Sequence, residues 1–437
     1  MADRAGVGGF VRRRAYDAHP CWRATRVLAW SACVGACMLL VSNATAAGSG
    51  ARAVHAAAKS VPAPPQPAAP IASPDARLIQ IYRQIGGGRS REALVMAAAL
   101  VHDEPNFRLA HLVYADLLTA RRTGLSSFGG GAATALPGVS TGRLEELRAE
   151  AALRLQALRD TPPPGAVPRQ FLTLPETTRH AIAVDASRSR LYLLEHDRQG
   201  MKLVASYYVS LGRLGLDKRT EGDQRTPLGV YFVTSKLNAT QLKDFYGVGA
   251  LPLNYPNEYD RREGRTGGGI WLHGVARDNY AREPRATDGC VVLANEDLQS
   301  LLRGVEVRRT PVVIATRLDW VSPNALEAPR RDAMDLLAAW QVARTAGDGQ
   351  GLERFYMPEA TKTALPTPPR GSARLPASKA APAALKELSV LAWNDGRDVL
   401  VMTFGEVPAG ARTGRVLRQY WAREGTHWMI FYEGVVG

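Results

Sequence analysis

The chain has 437 residues, 46% of them hydrophobic and 22% charged. That length suits two to four domains, and that apolar share can fill their cores, which excludes a wholly disordered or collagen-like chain. The formal net charge of +14 suits an anionic partner (nucleic acid, membrane surface or cell-wall polymer) without choosing among them, and four cysteines with no Cys-x-x-Cys pair exclude a disulfide-stapled framework and a strong zinc site.

In chain order, Arg12, Arg13, Arg14, Arg23 and Arg26 come first, then an apolar run from Val27 to Val41 and an Ala44-Thr45-Ala46 site. The run is about 15 residues, against the roughly 20 of a spanning helix. The pattern describes an export signal over residues 1–46, cleaved near Ala46 or retained as an anchor. Cys21, Cys33 and Cys37 fall in this leader, so cleavage leaves Cys290 alone. A lone exported thiol is buried and inert, intermolecular or reactive.

Residues 47–74 are Ala/Pro-rich and read as a semi-rigid spacer. Helical spacing then predicts a small helical module over 75–160. It appears in Leu78, Ile81, Tyr82 and Ile85, then Leu94, Ala97, Ala98 and Val101, then Leu109, Leu112, Val113 and Leu117. Gly86-Gly87-Gly88 separates the first two helices. A further helix is expected over 143–158, before Pro162-Pro163-Pro164.

The period changes to two from His180, and the block over 170–319 is predicted to be mainly β. The C-terminal block over 330–437 begins with a helix near 331–344 and a Pro/Ala-rich loop over 361–382. Alternating strands follow at 388–393, 399–404, 415–423 and 428–432, with Asn394-Asp395-Gly396 and Glu424-Gly425 as hairpin turns. A helix followed by an antiparallel sheet is an α+β pattern. The fold class is therefore multidomain: a helical module, a mainly-β block and an α+β block. The last is expected to be removable without loss of the chemistry.

Three stretches carry the chemistry: Thr226-Pro227-Leu228-Gly229-Val230-Tyr231, Ile270-Trp271-Leu272-His273-Gly274, and Thr287-Asp288-Gly289-Cys290-Val291-Val292-Leu293. If a loop folds His273 against Cys290, the imidazole can take the thiol proton and yield a thiolate, with a thiol pKa below its ordinary value. Gly289 leaves room for a substrate carbonyl, and backbone N–H groups near Cys290 are candidates for its oxyanion. The bland alternatives are a hydrogen-bonded core histidine and an inert core thiol. No further His/Cys cluster supplies the ligands of a metal.

These stretches, with Leu253-Asn254-Tyr255-Pro256-Asn257, resemble the catalytic domain of the L,D-transpeptidases, which cross-link bacterial peptidoglycan. The resemblance covers roughly residues 179–317. It implies Cys290 as nucleophile, His273 as base and Gly274 as the group that orients the imidazole through its carbonyl. Asp288 stands where many members have His, and Val292 where many have Arg. Asp288 either raises the basicity of an imidazole or caps a turn. Arg277, Arg282 and Arg285 either replace the missing Arg or are solvated loop charges. Tyr255, Trp271, Arg285, Asp288 and Gly289 are the candidate substrate contacts, with core packing the alternative for Trp271.

The C-terminal block resembles a nuclear-transport-factor-2-like cone, as found in certain cell-shape L,D-carboxypeptidases of the same superfamily. Its aromatic sheet lines a ligand pocket or fills a core. The resemblance implies peptidoglycan stem peptides as substrate and no metal or cofactor. It implies a periplasmic location with or without an inner-membrane anchor, and no nucleic-acid partner. An outer-membrane lipoprotein or other cell-wall proteins are further candidate partners. The expected reaction is formation of 3–3 cross-links through a cysteine thioester. L,D-carboxypeptidase trimming of tetrapeptide stems and a non-catalytic wall-binding scaffold are the alternatives.

Overall fold

Ser73 starts the first helix, Pro74–Gly86: its hydroxyl accepts the Ala76 N–H at 3.3 Å, and Pro74 occupies the first turn, where its missing N–H costs nothing. The computed structural model describes residues 73–124, 127–131, 141–346, 349–358, 384–407, 410–412 and 414–436. The expected leader, all but the end of the spacer, and the Pro/Ala-rich loop over 361–382 lie outside the described residues. Among the described residues no helix is long and apolar enough to cross a membrane.

Leu78 and Ile81 of the first helix share one core with Ala97 and Leu100 of Ser90–Asp103 and with Leu109 and Val113 of Arg108–Ala120. The helix Thr141–Arg159 adds Leu144 and Ala151. Tyr280 and Ala294 of the β block belong to the same core. The Phe107 and Tyr280 rings stand 4.1 Å apart, and the Asn106 amide donates to the Arg277 carbonyl at 3.1 Å. The helices therefore grip the loop that precedes Cys290.

The β block centres on a five-stranded sheet. Its spatial order is Gly200–Tyr208, Arg190–Asp197, His180–Asp185, Pro311–Ala315 and Gly229–Phe232, with the third and fourth parallel. The two central strands are buried on both faces, which explains their unbroken apolar runs Ala181–Val184 and Val312–Ile314. Ile182, Val184, Val312 and Ile314 face a core with Leu272, Val291, Leu298 and Leu301. Ala181, Ala183 and Val313 face the other way, into a core shared with Leu391, Val401 and Tyr420 of the C-terminal block. A smaller sheet runs in the order Val291–Val292, Trp271–His273, Gly249–Pro252 and Leu237–Asn238.

Four C-terminal strands, Ala384–Asn394, Asp398–Val407, Arg415–Glu424 and His427–Val435, form an antiparallel sheet. Gly396 at φ +75° and Gly425 at φ +60° make the two hairpin turns that the sequence marks. Helix Glu327–Thr345 covers one face through Leu337 and the fully buried Trp340, against Met402, Phe404 and Trp421. The catalytic sheet covers the other. Most of the sheet's aromatic residues therefore fill cores, while Tyr432 lines a cleft.

Two features correct the sequence reading. Phe171–Thr173, placed by sequence with the β block, is the fifth strand of the C-terminal sheet, with Val390 opposite Thr173 and Leu391 opposite Phe171. With a strand exchanged and a core in common, removal of the C-terminal block is expected to uncover the catalytic sheet. Helix Asn295–Gly304 was also not anticipated. Its Leu298 and Leu301 fill the core beneath the site, and Glu296 in its first turn suits a helix N-terminus.

Candidate active site

Strands Trp271–His273 and Val291–Val292 pair in parallel, with Leu272 opposite Val291 and His273 opposite Val292. Strand alternation then sorts the side chains. Leu272 and Val291 point into the apolar core, each burial contributing about 1.5–3 kcal/mol. Trp271, His273 and Cys290 project from the opposite face. Cys290 is level with Trp271, and His273 is two residues further along the same face. The pairing register alone brings thiol and imidazole to one surface.

The turn before Cys290 is tightly specified. The Thr287 hydroxyl donates to the Cys290 carbonyl at 2.8 Å and accepts the Gly289 N–H at 3.1 Å. Gly289 has φ +122°, and a Cβ there would meet the Arg225 carbonyl at 2.6 Å, so no other residue fits. Among the described residues no acceptor takes the Cys290 N–H, which leaves it for an incoming carbonyl oxygen. Cys290 is partly buried, and its thiol donates to the Gly269 carbonyl at 3.3 Å. The Gly267-Gly268-Gly269 loop that supplies this acceptor escaped the sequence reading. Its signal is the glycine triplet itself, with Gly267 and Gly269 at positive φ.

His273 is buried at 1% exposure. Its Nδ1 lies 2.7 Å from the Gly274 carbonyl, which can only accept, so the proton is on Nδ1 and the Nε2 lone pair is free. The Gly274 carbonyl is thus in place to orient the imidazole. Its place is fixed by Asn295, another residue the sequence reading missed. The Asn295 Oδ1 accepts the Val248 and Val275 N–H groups, both at 3.2 Å, and its amide donates to the Val275 carbonyl at 2.9 Å. A side chain at Gly247 or Gly274 would collide with that oxygen.

Burial sets the electrostatics. It lowers the His273 pKa to about 4, against the partial support of the Gly274 hydrogen bond. It also raises the thiol pKa of Cys290, against the Trp271 N–H and the Arg282 charge, both of which favour the thiolate. The expected low-pKa thiol is therefore corrected: at neutral pH both groups rest uncharged, because low-dielectric surroundings oppose a thiolate and an imidazolium alike. Proton transfer from Sγ to Nε2 belongs to the approach of substrate.

Of the candidate arginines, Arg282 is the one whose charge acts on both Cys290 and His273. Its guanidinium lies 4.1 Å from the Phe245 ring centroid and donates to the Phe245 carbonyl at 3.4 Å. Arg285 is exposed, and its backbone pairs with Leu211. Arg277 is exposed and paired with Asp244 at 3.2 Å. Asp288 is exposed and pairs with Arg213 at 3.0 Å, and its charge opposes the Cys290 thiolate. Trp271 is partly buried against Tyr246, ring centroids 4.9 Å apart.

Tyr255 departs from its expected role. It is buried at 5% exposure, and its hydroxyl donates to the Thr266 carbonyl at 3.2 Å and the Lys218 carbonyl at 3.3 Å. It braces the loops of Lys218 and Thr266 instead of presenting a group to a peptide. Among the described residues no cluster of His, Cys, Asp and Glu could hold a metal.

Residues 179–314 match the family model of the L,D-transpeptidase catalytic domain, YkuD. No curated protein matches the chain. Among solved structures, the chain is similar to Bd1075 of Bdellovibrio bacteriovorus, with 22% identity over 62% of this chain and 98% of that one, and a TM-score of 0.49. It is similar to Pgp2, a helical cell shape determining protein of Campylobacter jejuni, with 18% identity over 60% and 96% of the two chains and a TM-score of 0.46. An L,D-transpeptidase of Mycobacterium smegmatis follows, with 12% identity over 31% and 58% and a TM-score of 0.22.

Proposed function

We propose that this chain, which carries an L,D-transpeptidase catalytic domain and is a peptidoglycan-modifying enzyme of that family, forms 3–3 cross-links between stem peptides in the periplasm. One observation carries the reading. The parallel register puts Cys290 and His273 on one face, and Gly274 fixes the imidazole as the tautomer that can accept a proton.

In the first half-reaction Cys290 Sγ attacks the carbonyl of an L-centred residue in a donor stem while His273 Nε2 takes the thiol proton. The Cys290 N–H faces the developing oxyanion. The C–N bond to the terminal D-amino acid breaks, and His273 returns the proton to the leaving amine. In the second, the side-chain amine of another stem attacks the thioester. The amine's proton passes through His273 to the departing thiolate, so the enzyme ends as it began. Arg282 is the cation best placed for a substrate carboxylate, in the role of the arginine that Val292 replaces.

Water in place of the amine would make the same site an L,D-carboxypeptidase. The C-terminal sheet packed on the catalytic sheet favours that second reading, since such a block resembles the one found in cell-shape carboxypeptidases. The test is incubation with purified disaccharide-tetrapeptide, read by mass spectrometry. Cross-linked dimer is expected, with tripeptide as a side product. Tripeptide alone at high acceptor concentration would put the carboxypeptidase first. Cys290→Ala should reduce turnover to background with the fold intact, and full activity in that variant would end the thiol mechanism.

A further inference from the structure

The Gly267-Gly268-Gly269 loop that faces the thiol has little support of its own. Among the described residues its only hydrogen bond is the one that the Gly269 carbonyl accepts from Cys290 Sγ. Gly267 and Gly269 stand at φ +87° and +69°, and a Cβ at Gly268 or Gly269 would meet nothing within 4 Å. Three glycines beside open space have more conformational freedom than any other triplet. The position of the Gly269 carbonyl is therefore set by what flanks the loop.

The two residues before it are firmly held. The Thr266 N–H donates to the Arg219 carbonyl at 2.9 Å, and the Thr266 carbonyl accepts the Tyr255 hydroxyl at 3.2 Å. Arg265 is buried at 6% exposure, and its N–H donates to the Asp260 carbonyl at 2.8 Å. Its guanidinium gathers three carboxylates from three segments. Nη1 donates to Asp260 at 3.0 Å, while Nη2 donates to Asp395 and lies 3.6 Å from Asp217. Burial opposes this charge, and the hydrogen bonds to Asp395 and Asp260 outweigh it.

Each carboxylate leads to a different part of the molecule. Asp260 belongs to the short helix Glu258–Arg262 that precedes the loop. Asp217 opens the segment that runs to Arg225, whose carbonyl crowds Gly289, the residue before the nucleophile. Lys218, next to Asp217, carries a charge that favours the Cys290 thiolate. Asp395 lies in the first hairpin turn of the C-terminal sheet, with its side chain 35% exposed. One guanidinium thus joins the C-terminal sheet to both loops that border Cys290.

We infer that Arg265 is a positioning residue for the thiol: anchored on Asp395 of the C-terminal sheet, it fixes the loop whose Gly269 carbonyl holds Cys290 Sγ in line for attack. A guanidinium can serve three carboxylates at once because its donors form a rigid planar fork, which an ammonium lacks. Placement matters because a nucleophile moved by about 1 Å can lose on the order of 100-fold in rate. That the attack is on a stem peptide rests on the function proposed above. The hold on the thiol does not.

The test uses the full chain with Cys21, Cys33 and Cys37 replaced by Ala, so that Cys290 is the sole thiol. The deciding variant is Asp395→Ala. Asp395 is partly exposed in a turn, so the fold should survive its loss, whereas Arg265→Met would strand the buried Asp260. The first reading is the infrared S–H stretching band of Cys290, which moves to higher frequency as its hydrogen bond weakens. The second is kcat and KM for disaccharide-tetrapeptide. An upward shift of the band is expected, with kcat lowered about tenfold and KM within about twofold of the parent. Asp395→Asn keeps an oxygen for Arg265 to bond and should recover most of both readings. Arg265→Lys keeps the charge, loses the fork and should resemble Asp395→Ala.

An unmoved band in folded Asp395→Ala protein would overturn the inference. So would a moved band with kcat unchanged, since the loop would then be tied to the thiol without serving the reaction. Lower stability in urea with both readings unmoved would reduce Arg265 and Asp395 to a structural clasp and overturn it too. A moved band in a chain whose parent shows no turnover would uphold the link from Asp395 to the thiol while the proposed reaction fell.

Discussion

Arg154 and Arg418 are buried at two different internal boundaries of the chain, and these two are treated in opposite ways. Where the helices meet the β block, Arg154 is 1% exposed and ringed by acids. It pairs with Asp75, and with Glu150 at 2.8 Å, while its guanidinium lies 4.0 Å from the Tyr208 ring centroid. Arg190 joins from the β block, 3.1 Å from Asp75. Burial opposes the Arg154 charge, and Asp75 and Glu150 outweigh it, so its pKa rises. At the C-terminal boundary burial lowers the Arg418 pKa, and no carboxylate offsets it. The first boundary is electrostatically complete and reads as a fastener. At the second, Arg418 is left without a carboxylate, while its neighbour in that boundary, Arg265, is paired with Asp260 at 3.0 Å and with Asp395.

The sharpest way to break this comparison is Arg154→Met. It leaves Asp75 and Glu150 buried without their main cation, and a loss of about 3–5 kcal/mol is expected in urea unfolding. A loss below about 1 kcal/mol would show that the cluster fastens nothing.

Asp297 tests the same cluster by pH. Burial, and then Asp75, lift its pKa from an ordinary 3.8 to about 7. Between pH 4 and 7 the folded chain keeps a proton that the unfolded chain releases, so stability falls as pH rises through that window. Asp297→Asn should therefore leave stability unchanged near pH 4 and raise it by roughly 2–4 kcal/mol at pH 8. Equal midpoints for the two proteins at pH 8 would show that Asp297 ionises there without cost.

Arg418→Met should be the mildest change to stability, within about 1 kcal/mol of the parent or above it, since an uncompensated charge is removed. A loss of about 3–5 kcal/mol would place Arg418 beside Arg154 as a structural cation.

Arg282 offers the smallest effect. Its charge favours the thiolate, so Arg282→Ala should raise the thiol pKa further and slow alkylation of Cys290 at pH 7 by about two- to fivefold. An unchanged rate would remove Arg282 from the site's electrostatics.

The reach of sequence reasoning follows from which forces are local. His273-Gly274 and Gly289-Cys290 were legible because a turn or a strand end demands those residues within a few positions. The helices and hairpins were legible because apolar period and turn chemistry are local too. Asn295, the Gly269 carbonyl and the choice of Arg282 over Arg285 were not, since each depends on what another segment brings near. Arg282 is singled out by Phe245, which lies 37 positions away in the chain. The low-pKa thiol was misjudged because spacing reports proximity, whereas the pKa is governed by burial. Tyr255 was misjudged for a similar reason: its motif position says nothing of the carbonyls of Lys218 and Thr266.

The strand Phe171–Thr173 also bears on how the chain is made. Its partner, Ala384–Asn394, is synthesised about 210 residues later, on the order of 10–40 seconds at typical elongation rates. Throughout that interval the catalytic sheet lacks the cover that Leu391, Val401 and Tyr420 later give to Ala181, Ala183 and Val313. A nascent chain halted before residue 384 would expose an unpaired strand edge and an apolar sheet face together, the combination most prone to aggregation. Late truncations of this chain should therefore accumulate as insoluble material, not as active fragments, and production in the cell should depend on holding chaperones until the last strands emerge.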